Sequence, residues 1–135
     1  MKKKSSRKII FCFSDYYLPG YKAGGPIKSI SNFVEKFGEE YEIKIFTRNH
    51  DFGEYYTYKN IINDNWNKVG KALVYFSSEK NLNLNSLKKI LNTTPYDLLY
   101  LNSFFSFKFT ILPILIYKLN NKLNKPCIVA PRGEF

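Results

Sequence analysis

Apolar residues along the chain fall into short blocks that alternate between two spacings. Lys8 to Phe13 (KIIFCF) is continuous, β-branched and aromatic, the pattern of a strand covered on both faces. Ser14 to Gly25 follows as a loop, on its content of Pro19, Gly20, Gly24 and Gly25. Pro26 suits the first position of a helix, where its missing N–H costs nothing. Ile27, Ile30, Phe33, Val34 and Phe37 then keep helical spacing until Gly38 closes the element. Tyr41 to Thr47 predicts a second strand, Ala72 to Phe76 a third, Asp97 to Leu101 a fourth and Pro126 to Ala130 a fifth. Leu84, Leu87, Lys88 and Leu91 mark a short amphipathic helix ending near Pro95. Phe107 to Leu123 reads as a helix that is apolar on most sides early and polar late. Arg48 to Lys71 is a long polar stretch carrying Phe52, Tyr55, Tyr56, Tyr58 and Trp66, and a loop of that length in a compact domain is usually functional or poorly ordered.

Strands alternating with helices predict an α/β fold, a doubly wound, Rossmann-like parallel sheet of about five strands with right-handed crossovers. No repeat or linker divides the chain, so residues 1–135 read as a single domain. A parallel strand expects covering on both faces, yet only Pro131 to Phe135 follow the fifth. The pattern therefore reads as a domain truncated inside a βα unit.

Composition narrows the classes. At 44% hydrophobic and 18% aromatic, the chain is too apolar for disorder. Cys12 and Cys127 are far apart in apolar runs and read as core residues; with His50 the single histidine, neither a disulfide scaffold nor a multi-histidine metal site is expected. No cofactor is expected either. No apolar run reaches the roughly 20 residues of a membrane span. Met1 to Lys4 looks like a signal-peptide start, but Ile9 to Phe13 is shorter than an h-region and Asp15 interrupts it, which predicts a cytoplasmic location. The net charge of +10 fits two readings, a basic choice of surface residues or attraction to an anionic surface. Lys2, Lys3, Lys4, Arg7 and Lys8 form the only dense cluster, and no recognition-helix, zinc-finger or aromatic RNA-binding pattern accompanies it, which argues against a nucleic-acid partner.

In open α/β sheets ligands bind beyond the carboxyl ends of the strands, where strand order reverses. For a strand order 3-2-1-4-5 the loops meeting there are Ser14–Gly25 and Asn102–Ser106, with Arg132 to Glu134 nearby. Gly24 and Gly25, opening a helix, suit an anion such as a phosphate held by backbone N–H groups and the helix dipole; a tight strand-to-helix connection selects glycine equally well. Neither a dinucleotide fingerprint nor a P-loop is present. Asn102 and Ser103, beside Phe104 and Phe105, suit either a helix-starting turn or a site that binds hydroxyls and stacks on a sugar face. Arg132 and Glu134 suit a surface ion pair or a clamp on an anionic ligand. Asp15 reads as a loop hydrogen-bonding residue and His50 as an exposed one.

These loops carry a family resemblance. Tyr17 to Pro26 (YLPGYKAGGP) with Ile27-Lys28-Ser29-Ile30 resembles the start of a GT4-type glycosyltransferase of the GT-B fold. Thr47 to Asp51, Trp66 to Ala72, Tyr100 to Ser106 and Ala130 to Phe135 resemble later blocks of a bacterial subgroup, in order along nearly the whole chain. The resemblance implies retaining transfer of a sugar from a nucleotide-sugar donor to a glycan or lipid-linked acceptor in envelope polysaccharide assembly. It implies that this chain is the incomplete N-terminal, acceptor-side half of a GT-B fold, inactive without the absent donor-binding domain. Gly24 and Gly25 are then expected at the donor diphosphate, and Tyr21, Lys22, Asn102, Ser103, Arg132 and Glu134 at the acceptor. Asn102 stands where many relatives place a histidine, so no catalytic residue carries over. The basic character suits a peripheral enzyme at an anionic membrane. The competing class is a non-enzymatic, flavodoxin-like α/β binding module.

Overall fold

The structure, a computed structural model, describes residues 7–102, 106–119 and 125–130. Its strands are β1 (Ile9–Phe13), β2 (Glu42–Arg48), β3 (Trp66–Val69), β4 (Ala72–Ser77), β5 (Leu98–Leu101) and β6 (Cys127–Val129). Its helices are α1 (Gly25–Phe37), α2 (Leu84–Thr93) and α3 (Leu112–Leu119), the last preceded by a π-helical turn over Phe107–Ile111. The strands form one sheet in the order β3-β4-β2-β1-β5-β6. All neighbours are parallel except β3 and β4. The chain is thus the expected α/β, Rossmann-like doubly wound fold, and the order of its parallel strands reverses between β1 and β5.

The period-2 geometry of strands divides the core into two layers. Ile10 and Cys12 of β1, Ile43 and Ile45 of β2, and Val74 and Phe76 of β4 pack with Ile30 and Val34 of α1. Phe11, Phe13, Phe46, Leu99 and Leu101 pack on the opposite face with Leu87 and Leu91 of α2, Phe109 of the π-helical turn and Ile116 of α3. This is why the strands read as unbroken apolar runs. Cys12 is fully buried and Cys127 half-buried, and the two form no disulfide with each other. Among the described residues, a groove of roughly 560 Å³ on the α1 face runs along Phe33, Phe37, Tyr100 and an exposed Ile128.

The long polar stretch contains a sixth strand that the sequence pattern did not predict. β3 pairs with β4 through Val69↔Ala72, leaving Gly70 and Lys71 as a two-residue turn with Gly70 at φ 59°. That is the position where a II′ hairpin needs glycine. Ahead of β3, residues 49–65 are tied down by polar bonds. Tyr58 N–H donates to the Asn49 carbonyl (2.9 Å), and the Asp64 carboxylate accepts from Ser78 N–H (2.9 Å) and Ser78 Oγ (3.1 Å). β2 and β4 are therefore joined by an ordered excursion with no crossover helix.

α1 ends as predicted at Gly38, and Arg7 Nη1 donates to the Gly38 carbonyl (3.0 Å). One member of the basic N-terminal cluster is thereby committed to capping a helix.

Candidate functional site

The carboxyl ends of β1 and β5 bring the loop that starts at Ser14 and Asn102 to one edge of the sheet, beside the ends of β2 and β4. The ladder continues past the strands here: Ser14 N–H donates to the Phe46 carbonyl (3.1 Å) and Asn102 N–H to the Phe13 carbonyl (3.0 Å). Asn102 thus lies against the end of β1, buried, with its Nδ2 donating to the Tyr100 carbonyl (3.3 Å). Ser103, Arg132 and Glu134 lie outside the described residues.

The glycine-rich loop is shaped by Asp51. Its carboxylate accepts from the backbone N–H groups of Tyr21 (3.1 Å), Lys22 (3.2 Å) and Phe52 (2.8 Å). Burial raises the Asp51 carboxyl, but these N–H donors outweigh it and hold the group below the usual carboxylate range. Tyr58 Oη also reaches the loop, donating to the Tyr17 carbonyl (3.2 Å). Burial pushes the Tyr17 phenol up to about 12 and raises the Tyr58 phenol too. Gly20 is required by this packing: a Cβ there would collide with the Tyr58 hydroxyl and stand 2.8 Å from Asp51 Oδ1. These bonds run to the tip of β2, so the loop leans toward β2.

Gly24 and Gly25 are exposed, and a Cβ on either would meet open space. Gly24 has φ 75° and caps α1 without a side-chain hydrogen bond, and no acidic residue stands in the first turn. The donor inventory is smaller than a glycine doublet suggests. Gly24 N–H already donates to the Tyr21 carbonyl (3.1 Å), and Ile27 and Lys28 N–H both donate to the Gly24 carbonyl. Pro26 has no N–H to offer. Gly25 N–H is the one that finds no acceptor among the described residues. An anion at this helix end would meet one free N–H, the positive end of the dipole and the nearby Lys28.

Of the two other expected acceptor residues, Tyr21 presents an exposed ring (73% exposed), free to contact a ligand. Lys22 is an ion pair with Glu54. That bond raises the lysine and lowers the carboxyl.

No family model, curated protein or solved structure matches this chain.

Beside this loop stands a cluster the sequence reading did not assemble. Glu79, on a 3₁₀ turn after β4 (Glu79–Asn81), receives Arg48 Nη1 and His50 Nε2 (2.8 Å) on Oε1, with Lys108 Nζ 3.9 Å from Oε2. His50, expected to be exposed, has a side chain only 14% exposed, because Tyr16 packs edge-on against it and its Nδ1 bonds the Asp51 carbonyl (2.9 Å). Both ring nitrogens face oxygens. Arg48 lies over the rings of Tyr16 (5.5 Å) and Phe109 (5.1 Å). Burial raises the Glu79 carboxyl, but hydrogen bonds from His50 and Arg48 outweigh it and hold it low. The sequence signal was Arg48-Asn49-His50-Asp51 straight after a strand, where alternation sends neighbouring side chains to different partners. Among the described residues no group of His, Cys, Asp and Glu could hold a metal, and no helix is long and apolar enough to cross a membrane.

Proposed function

We propose that this chain is the acceptor-side Rossmann-like domain of a GT4-like glycosyltransferase, acting on a nucleotide-sugar donor and a glycan or lipid-linked acceptor. The observation that carries the reading is the exposed head of α1. Gly25 N–H has no acceptor among the described residues, none of which a Cβ on Gly24 or Gly25 would meet, and Lys28 supplies positive charge. It stands at the carboxyl edge of the sheet, where doubly wound folds bind phosphates. The five sequence blocks that resemble the family support the same reading, and four of them fall at least in part on this edge. In the GT-B arrangement a second domain holds most of the donor, so this chain's share is acceptor binding and contact with the diphosphate, which develops charge as the sugar leaves. Tyr21 then offers an aromatic face to the acceptor, and Asn102 frames the β1–β5 end of the cleft. The net charge of +10 suits work at an anionic membrane surface.

Titration of the ¹⁵N-labelled full chain with UDP, GDP and pyrophosphate tests this. Amide shifts centred on Gly24, Gly25 and Lys28 are expected, and Lys28→Glu should abolish them while leaving the fold intact, since an acid near a helix start is stabilising. Absence of those shifts at millimolar ligand would overturn the assignment. Flavin binding in their place would favour the flavodoxin-like module.

A further inference from the structure

The Glu79 cluster is built unlike an ordinary surface ion pair. Arg48 ends β2, His50 lies in the following loop and Lys108 sits on the π turn before α3, yet all three converge on one carboxylate. Arg48 and Lys108 carry two fixed positive charges against the one negative charge of the Glu79 carboxylate between them. The covering is also inverted. The Arg48 and His50 side chains are only 17% and 14% exposed and braced by Tyr16 and Phe109, whereas Glu79 is 49% exposed on a three-residue turn. Arg48 and His50 are held in place, and the Glu79 carboxylate is the replaceable part. Arg48 has donor capacity to spare, because Glu79 engages Nη1 and the buried Nε finds no acceptor among the described residues. Asp51, the nearest carboxylate along the chain, is already committed to backbone N–H groups.

We infer that Arg48, His50 and Lys108 form a binding site for a phosphate monoester, a position that Glu79 occupies as an internal competitor. A phosphate monoester carries about −1.5 to −2 charges and three acceptor oxygens, which matches the cations Arg48 and Lys108 with the His50 ring beside them better than one carboxylate does. The site is separate from the head of α1 and does not depend on the sugar-transfer reading. Its chemistry is common to soluble phosphate monoesters and to lipids with a terminal phosphate.

The test is calorimetric titration of inorganic phosphate into the full chain at constant ionic strength. Glu79→Gln, which keeps the side-chain shape and removes the competing charge, should bind at least tenfold more tightly than the unaltered protein. Arg48→Gln added to it should return the affinity to the starting level or below. Equal binding by the unaltered protein and Glu79→Gln, or tight binding that survives loss of Arg48, overturns the inference. Should Glu79→Gln not fold, the His50 ring resonances of the unaltered protein report instead: a shift with phosphate but not with acetate supports the site, and the same response to both refutes it. Sedimentation of Glu79→Gln with phosphatidic acid vesicles that is lost when Arg48→Gln is added, with no such loss on phosphatidylserine vesicles, assigns the phosphate to a lipid headgroup. Binding in solution without sedimentation assigns it to a soluble ester.

Discussion

Asp51→Asn isolates the bond set that shapes the glycine loop. The carboxylate is 7% exposed and accepts from three backbone N–H groups. Hydrogen bonds to a charged acceptor contribute about 1.5–3 kcal/mol each, against about 0.5–1.5 for neutral ones. Neutralising Asp51 therefore removes about 1 kcal/mol from each of three bonds, and the amide introduced turns a donor toward N–H groups that are themselves donors. The expected loss is about 3 kcal/mol, equivalent to roughly a hundredfold in the opening equilibrium of the loop. Amide exchange reads this directly: Tyr21 and Lys22 N–H should exchange about a hundredfold faster, with a smaller effect at β1 and β4 if the loop opens on its own. The sign of the pH dependence follows from the lowered carboxyl. A group whose folded pKa lies below its unfolded value contributes fully above the unfolded value, about 3.9, and loses that contribution as pH falls through the folded one. The stability difference between the unaltered protein and Asp51→Asn should be flat above about pH 5 and shrink below about pH 4. Unchanged exchange at Tyr21 and Lys22 at neutral pH would refute the reasoning.

Gly20→Ala should lower stability by about 1–3 kcal/mol through overpacking against the Tyr58 hydroxyl, read as a fall in melting temperature of several degrees. Tyr58→Phe removes that hydroxyl, so the double variant should be more stable than the sum of the two singles by about 1 kcal/mol in a denaturant cycle. Thr47 is fully buried and its hydroxyl finds no partner among the described residues, so Thr47→Val should be neutral or stabilising by up to about 1 kcal/mol in urea unfolding. A destabilised Thr47→Val protein would show that the hydroxyl has a partner after all.

Much of the architecture was legible in the residues themselves. The runs IIFCF, ALVYFS and LLYL announce strands covered on both faces because each carries large apolar groups on consecutive positions, which only a two-layer core can bury. α1 declared itself through Pro26, its apolar spacing and Gly38, since caps and periodicity are local properties. β3 escaped because Trp66 to Val69 is short, polar in its centre and stable only against β4; its one local mark was the Gly70 turn.

The site divides the same way. That Gly24 and Gly25 open a helix at a strand end follows from order along the chain, as does the placing of Asn102 beside β1 once the sheet order is inferred. Which donors remain unpaired does not follow, because Gly24 N–H is taken by Tyr21 and Lys22 by Glu54 through contacts set by loop folding. The meeting of Arg48, His50 and Lys108 at Glu79 spans 60 residues of chain and exists only when β2, β4 and the π turn share one edge of the sheet. Spacing and hydrophobic pattern determined the elements, which answer to their own neighbours; tertiary packing alone decided which charges face one another.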